Sequence, residues 1–122
     1  MKHICSLNIQ VGTRKMEALV DTGANISCIS SKLVAELELR VNRSKQRIQI
    51  KTASGISNIA SKWVNVPIQI GETIHKIKFC IIKSLNPEIL IGRQHCKKMK
   101  IDIKFSTNEL YICGKILNHD EK

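Results

Sequence analysis

Apolar and polar residues alternate along much of this chain, and the alternation predicts strands. From Ser6 to Val11, Leu7, Ile9 and Val11 alternate with Asn8 and Gln10. Gly12-Thr13-Arg14-Lys15 breaks the pattern as a turn, and Met16 to Val20 resumes it, so the pair predicts a hairpin. Ile26-Ser27-Cys28-Ile29 is apolar again, and Ser30 or Ser31 is placed to cap a short helix from Lys32 to about Leu37. Arg47 to Thr52 and Ile56 to Val66 predict a second hairpin, with a small, flexible tip at Ala53-Ser54-Gly55. Val66 to Ile70 reads as a further strand, because Pro67 favours a strand start or an edge. Gly71-Glu72 then turns the chain into a long strand from Ile74 to Ile82.

Asn86-Pro87 begins a turn, and Ile89-Leu90-Ile91 is a short buried run that stops at Gly92. Arg93 to Lys100 forms one or two helical turns with Cys96 and Met99 on one face. Ile101 to Phe105 alternates, Thr107-Asn108 turns, and Leu110 to Cys113 is apolar; Asn118 to Lys122 reads as a disordered tail. The expected fold class is mostly β, with one or two short helices. Residues 1–122 form one domain, its core from about 6 to 113. A weak internal repeat runs through it. An apolar strand, a glycine and a short helix occur around Ala18 to Leu37 and again around Ile89 to Lys100, but only the first copy carries an acid at the strand end.

Composition sharpens this. The aromatic set is Trp63, Tyr111, Phe79 and Phe105, so the core must be aliphatic, and Ile, Val and Leu favour strands. The net charge of +10 reads plainly as a solvated basic surface; the sharper reading is contact with nucleic acid or an acidic partner. No aromatic-rich stripe accompanies the Lys and Arg residues, which argues against base stacking. Cys5, Cys28, Cys80, Cys96 and Cys113 are odd in number, with no pair at C-x-x-C spacing, and read as reduced thiols in a cytosolic setting. His95 beside Cys96 lacks a second ligand pair at zinc spacing, so no metal is expected. No apolar run approaches the ~20 residues needed to cross a bilayer.

The chemistry concentrates at Ala18-Leu19-Val20-Asp21-Thr22-Gly23-Ala24, which puts a carboxylate directly after a buried strand. An acid there is costly unless hydrogen-bonded or functional. Gly23 lets backbone amides approach it, and Thr22 offers a hydroxyl to a second chain. Read plainly, Asp21 is a turn residue followed by a suitable glycine. The context says more: a Gly-bearing hairpin follows about 30 residues on, and Ile89-Leu90-Ile91-Gly92-Arg93 about 70 residues after Asp21.

That ordered set, from about Ser6 to Tyr111, resembles the retropepsins, the proteases of retroviruses, LTR retrotransposons and plant pararetroviruses. The resemblance implies an acid-protease fold with one lobe per chain, closed and barrel-like, active as a homodimer without a cofactor. It implies that Asp21 is the catalytic aspartate and that Thr22 and Gly23 support the active site, with the Thr22 hydroxyl bracing the dimer. Gly23, Ala24 and Asn25 would line the substrate floor. The hairpin tip with Ala53, Ser54, Gly55 and Ile56 would form the flap, Leu90 and Ile91 the pocket walls, and Gly92 and Arg93 structural positions. Asn25 is a departure: retroviral members commonly carry an acid there that pairs with the arginine. Only about four residues precede the first matched strand, so the extra carboxy-terminal strands are candidates for the dimer contacts.

Peptide hydrolysis by this chemistry needs two carboxylates, one to take a proton from water and one to protonate the carbonyl. The chain has three aspartates, Asp21, Asp102 and Asp120, and only Asp21 sits in the motif, so a twofold dimer must supply the pair. The resulting expectation is an aspartic endopeptidase acting on a viral or retrotransposon polyprotein, in host cytoplasm or virus particle. Its partners are a second copy and a peptide, with no membrane and with nucleic acid reached only through the parent polyprotein or the basic surface. Two other readings stand beside it: a catalytically weak or silent dimeric domain of a host protein, and a basic nucleic-acid-binding β-domain.

Overall fold

The computed structural model describes residues 4–51, 57–104, 106–107, 109–112 and 115–117. In chain order these form β1 (Ile4–Val11), β2 (Arg14–Asp21), β3 (Cys28–Ser30), α1 (Ser31–Glu36), β4 (Asn42–Lys51), β5 (Ser57–Ile70) and β6 (Thr73–Ile82). There follow β7 (Ile89–Ile91), α2 (Arg93–Lys98), β8 (Ile101–Lys104), β9 (Glu109–Ile112) and β10 (Lys115–Leu117). The mostly β architecture with two short helices is the one the sequence pattern predicts.

β1 and β2 form the first hairpin, in register from Ile4 opposite Asp21 to Val11 opposite Arg14. Gly12, at φ +61, supplies the left-handed conformation this tight connection needs. The main sheet then runs β1-β2-β7-β3-β6-β5-β4, and β5 returns to β1 at Gln10 opposite Gln69. Six strands therefore close into a barrel, and β4 hangs outside it on β5. β8, β9 and β10 form a separate three-stranded sheet after α2; the last of these strands was not anticipated from sequence.

Inside the barrel, alternate residues interlock. Leu7 and Ile9 from β1, Val20 from β2, Val64, Val66 and Ile68 from β5, and Phe79 from β6 are almost wholly buried together. Burying each of these large side chains contributes about 1.5–3 kcal/mol. α1 is too short to persist alone. It is fixed because the Ser30 hydroxyl accepts from the Leu33 N–H at 3.1 Å while Leu33 and Val34 enter the core.

β5 differs from expectation. The strands predicted over Ile56 to Val66 and Val66 to Ile70 are joined in one 14-residue strand, Ser57–Ile70. It pairs with β4 up to Trp63, with β6 from Trp63 onward and with β1 at Gln69. Pro67 falls in the gap between its β4 and β1 partners, where a missing N–H costs no ladder bond.

A second apolar cluster lies apart from the barrel interior. Ala24, Cys28, Ile50, Ala60, Cys80, Ile82 and Leu90 form it, with Ile26 and Ile48 packed partly against it. It joins the loop after β2 to the outer part of the β4–β5 hairpin.

Candidate active site

β2 pairs in parallel with β7, and β7 pairs antiparallel with β3, so two turns are brought face to face. One follows Asp21; the other is Gly92, between β7 and α2. These are the two copies of the weak internal repeat. Their approach is so close that a Cβ on Gly92 would lie 2.6 Å from the carbonyl carbon of Ile26. Gly92 has ordinary extended backbone angles, so glycine is required there by space alone.

Asp21 ends β2 and is 3% exposed. The Gly23 N–H donates to its Oδ1 at 2.9 Å, and the Ala24 N–H donates to its backbone carbonyl at 3.1 Å. A carboxylate held at a strand end by a backbone amide is oriented, and part of its cost of burial is offset. Thr22 and Gly23 are exposed, while Ala24 is buried. Thr22 opens onto a depression of about 470 Å³ whose other walls include Arg93, Lys97, Ile101 and Asp102.

Asn25 has a part the sequence did not reveal. Its Oδ1 accepts from the Lys51 N–H at 2.9 Å, its Nδ2 donates to the Gln49 carbonyl at 3.4 Å, and its own N–H donates to the Lys51 carbonyl at 3.2 Å. An amide can both accept from and donate to one β-strand; a carboxylate can only accept. The departure from the retroviral acid thus coincides with an anchor between the Asp21 loop and β4. Arg93 is exposed, and its N–H donates to the Ala24 carbonyl at 2.8 Å.

Ser27 and His95 were also missed. Ser27 is fully buried, and its hydroxyl accepts from the Gly92 N–H at 2.9 Å while lying 2.7 Å from His95 Nδ1. Burial, with Lys98 nearby, lowers the His95 pKa from its ordinary value. That favours neutral imidazole, which accepts the Ser27 proton when Nδ1 is unprotonated. A serine inside the apolar run Ile26-Ser27-Cys28-Ile29 was the available signal, but its partners lie more than sixty positions away.

Leu90 and Ile91 part company. Leu90 joins the cluster beside Ala24, whereas Ile91 is fully buried in the barrel interior. Adjacent strand residues face opposite sides, so the wall role expected of Ile91 is corrected to a core role. Ala53, Ser54, Gly55 and Ile56, the expected flap tip, lie outside the described residues. Cys28, Cys80 and Cys96 are buried free thiols, and Cys28 is opposite Cys80 in the β3–β6 register. Burial first, then Cys80 and Asp21, pushes the Cys28 thiol up to about 12. Among the described residues no group of His, Cys, Asp and Glu is arranged to hold a metal. No helix in the described residues is long and apolar enough to cross a membrane.

A model of the family described as "gag-polyprotein putative aspartyl protease" matches residues 7–97. DNA damage-inducible protein 1 of Neurospora crassa is 25% identical over 112 residues, which are 92% of this chain and 26% of that protein. The chain thus spans about a quarter of that relative's length. Among solved structures, the retroviral protease-like domain of Ddi1 from Leishmania major superposes with a TM-score of 0.68 at 16% identity, covering 96% of both chains. The simian foamy virus protease superposes with a TM-score of 0.51 at 18% identity, covering 79% of this chain and 96% of that one. These likenesses establish a retroviral protease-like fold.

Proposed function

We propose, because the chain belongs to the gag-polyprotein aspartyl protease family, that it is one protomer of a homodimeric aspartic endopeptidase. Asp21 supplies one carboxylate and its symmetry mate the other. The observation that carries this reading is the buried Asp21, held by the Gly23 amide at the end of β2, beside an exposed Thr22. Two such carboxylates meeting at a twofold axis share one proton, because like charges in contact cannot both ionise readily. The ionised member takes a proton from water as its oxygen adds to the peptide carbonyl carbon. The protonated member gives its proton to the carbonyl oxygen. Collapse of the tetrahedral diol breaks the C–N bond; the departing amine takes a proton from one carboxyl while a diol hydroxyl returns its proton to the other, so the dyad regains its single proton. No covalent enzyme intermediate forms.

The exposed Thr22 hydroxyl is the group we assign to bracing the two chains below the carboxylates. Gly23, Ala24 and Asn25 form the floor, Leu90 an apolar wall, and an extended peptide binds by strand addition. The viral or retrotransposon setting expected from sequence gives way here to a cellular one. The Neurospora relative and the Leishmania domain are both parts of DNA damage-inducible or Ddi1 proteins. The same relatives favour a second reading, a host dimerisation module that does not cleave.

Cleavage of a mixed peptide library at mildly acidic pH, by wild type and Asp21→Asn with and without pepstatin, separates the two. Activity that needs Asp21 and rises more than linearly with enzyme concentration is expected. A folded dimer that cleaves nothing at high concentration would leave the interaction module as the function.

A further inference from the structure

The positive charge is unevenly placed. From Leu39 to Pro87 the sequence has nine Lys or Arg against one acid, Glu72, so this stretch holds +8 of the chain's +10. Strands β4, β5 and β6 contain no Asp or Glu at all. They carry Arg43, Lys45, Arg47 and Lys51 on β4, Lys62 on β5, and Lys76 and Lys78 on β6, all exposed; by register Arg47, Lys51, Lys76 and Lys78 share the face of Trp63, whereas Arg43 and Lys62 lie on the other. Among the described residues the ion pairs are Arg14–Glu36 and Lys32–Glu36, so none of these seven cations is neutralised by a carboxylate. Such a one-signed sheet repels itself and draws anions to it.

Its position ties the charge to the candidate active site. Asn25 fastens the end of β4 to the Asp21 loop through Lys51 and Gln49. Ile50 and Ala60, from β4 and β5, share the apolar cluster with Ala24 and Leu90. Arg47 and Lys51 lie on the face of β4 opposite Ile48 and Ile50, so the cations line the outer side of the strand whose inner side packs on that cluster. The anion that gains from both features is a polypeptide with an apolar segment and an acidic flank. Nucleic acid is served less well. Trp63 is half-buried with the Lys78 ammonium 4.3 Å from its ring centroid, and the other aromatic of these strands, Phe79, is fully buried. No open ring is offered to a base.

We propose that the β4–β5–β6 sheet is a docking surface for an acidic polypeptide stretch, which makes acid-flanked chains the preferred substrates. Calling the partner a substrate rests on the protease reading; the docking does not.

The test uses the 122-residue chain carrying Asp21→Asn, which binds without cleaving on that reading. Fluorescence anisotropy compares a fluorescein-labelled peptide of alternating Glu and Leu, its Gln-for-Glu counterpart, and a single-stranded oligothymidylate. The Glu peptide is expected to bind about tenfold more tightly than the Gln peptide at low salt, and the advantage to vanish at high salt. Combining Arg47→Gln, Lys51→Gln, Lys76→Gln and Lys78→Gln, which share one face, removes the advantage. Combining Lys97→Gln, Lys98→Gln, Lys100→Gln and Lys104→Gln, outside these strands, leaves it in place. Equal binding of the Glu and Gln peptides overturns the proposal, as does equal loss in both combined variants. Tighter binding of oligothymidylate than of the Glu peptide also overturns it, in favour of nucleic acid. Failure of wild type to cleave leaves the docking result standing, and failure of docking leaves cleavage unaffected.

Discussion

Replacing Gly92 with alanine probes the contact that holds the two halves of the site together. The added Cβ would lie 2.6 Å from the Ile26 carbonyl carbon, 2.7 Å from its oxygen and 3.0 Å from its nitrogen. Carbon atoms prefer to be about 3.5–4.0 Å apart, so the overlap is close to ~1 Å. The obstacle is backbone, which cannot swing aside as a side chain does. Overpacking of this kind costs about 1–3 kcal/mol. Separation of the loops also weakens the Gly92 N–H to Ser27 bond, worth about 1 kcal/mol. The reduced entropy of an alanine in the unfolded chain returns about 0.4–1 kcal/mol. The net expectation is a loss of about 2–3 kcal/mol, measured by urea denaturation at fixed protein concentration. Gly12→Ala is the control. Its Cβ meets nothing within 4 Å, and only the φ of +61 opposes it, so about 1 kcal/mol is lost. Gly12→Asn should recover part of that loss because asparagine tolerates this conformation, while Gly92→Asn should recover nothing. If Gly92→Ala costs no more than Gly12→Ala, the steric account is wrong.

Asn25→Ala removes both side-chain bonds to β4 and is expected to speed hydrogen exchange at the Lys51 amide, with about 1 kcal/mol of stability lost; unchanged exchange would deny the anchor. Ser27→Ala leaves the buried Gly92 N–H without its acceptor and should cost about 2 kcal/mol, whereas Ser27→Thr keeps a hydroxyl and should cost less; urea midpoints check this. Cys28 titrates near 12 when folded against an ordinary 9.0, so the unfolded chain releases its proton first as pH rises. Its contribution to stability is therefore constant below about 9 and falls as pH rises from 9 toward 12. Alkaline denaturation curves should show a shallower decline over that window in Cys28→Ala; parallel declines would refute the assignment.

Much of the fold was legible because period-two alternation maps directly onto strands with one face in a barrel. Leu7, Ile9 and Val11 announced β1, and all three are core residues. Ser30 or Ser31 announced the start of α1, and Ser30 is the observed cap. The continuity of β5 was hidden because Pro67 signals an edge, and only the order of partners reveals that one strand has a local edge in its middle. The motif around Asp21 was visible as a string of adjacent residues. The amide bridge of Asn25, the Ser27–His95 contact and the inward turn of Ile91 were not, since each depends on which distant strand lies alongside.

That unbroken β5 has a mechanical consequence. From Trp63 to Ile70 the strand is built into the barrel wall by β6; from Ser57 to Lys62 its paired strand is β4. It is a beam clamped at its inner end and tied at its outer end, where Asn25 bonds Lys51 and Gln49 of β4 and Ala60 sits in the apolar cluster. The clamp is Trp63, which pairs with Asn42 on one side and Cys80 on the other. Cys80 is in turn opposite Cys28, whose surroundings include Asp21. A load on the hairpin is therefore shared between Trp63 and the Asn25 tie, and through Asn25 it reaches the Asp21 loop without crossing the sheet.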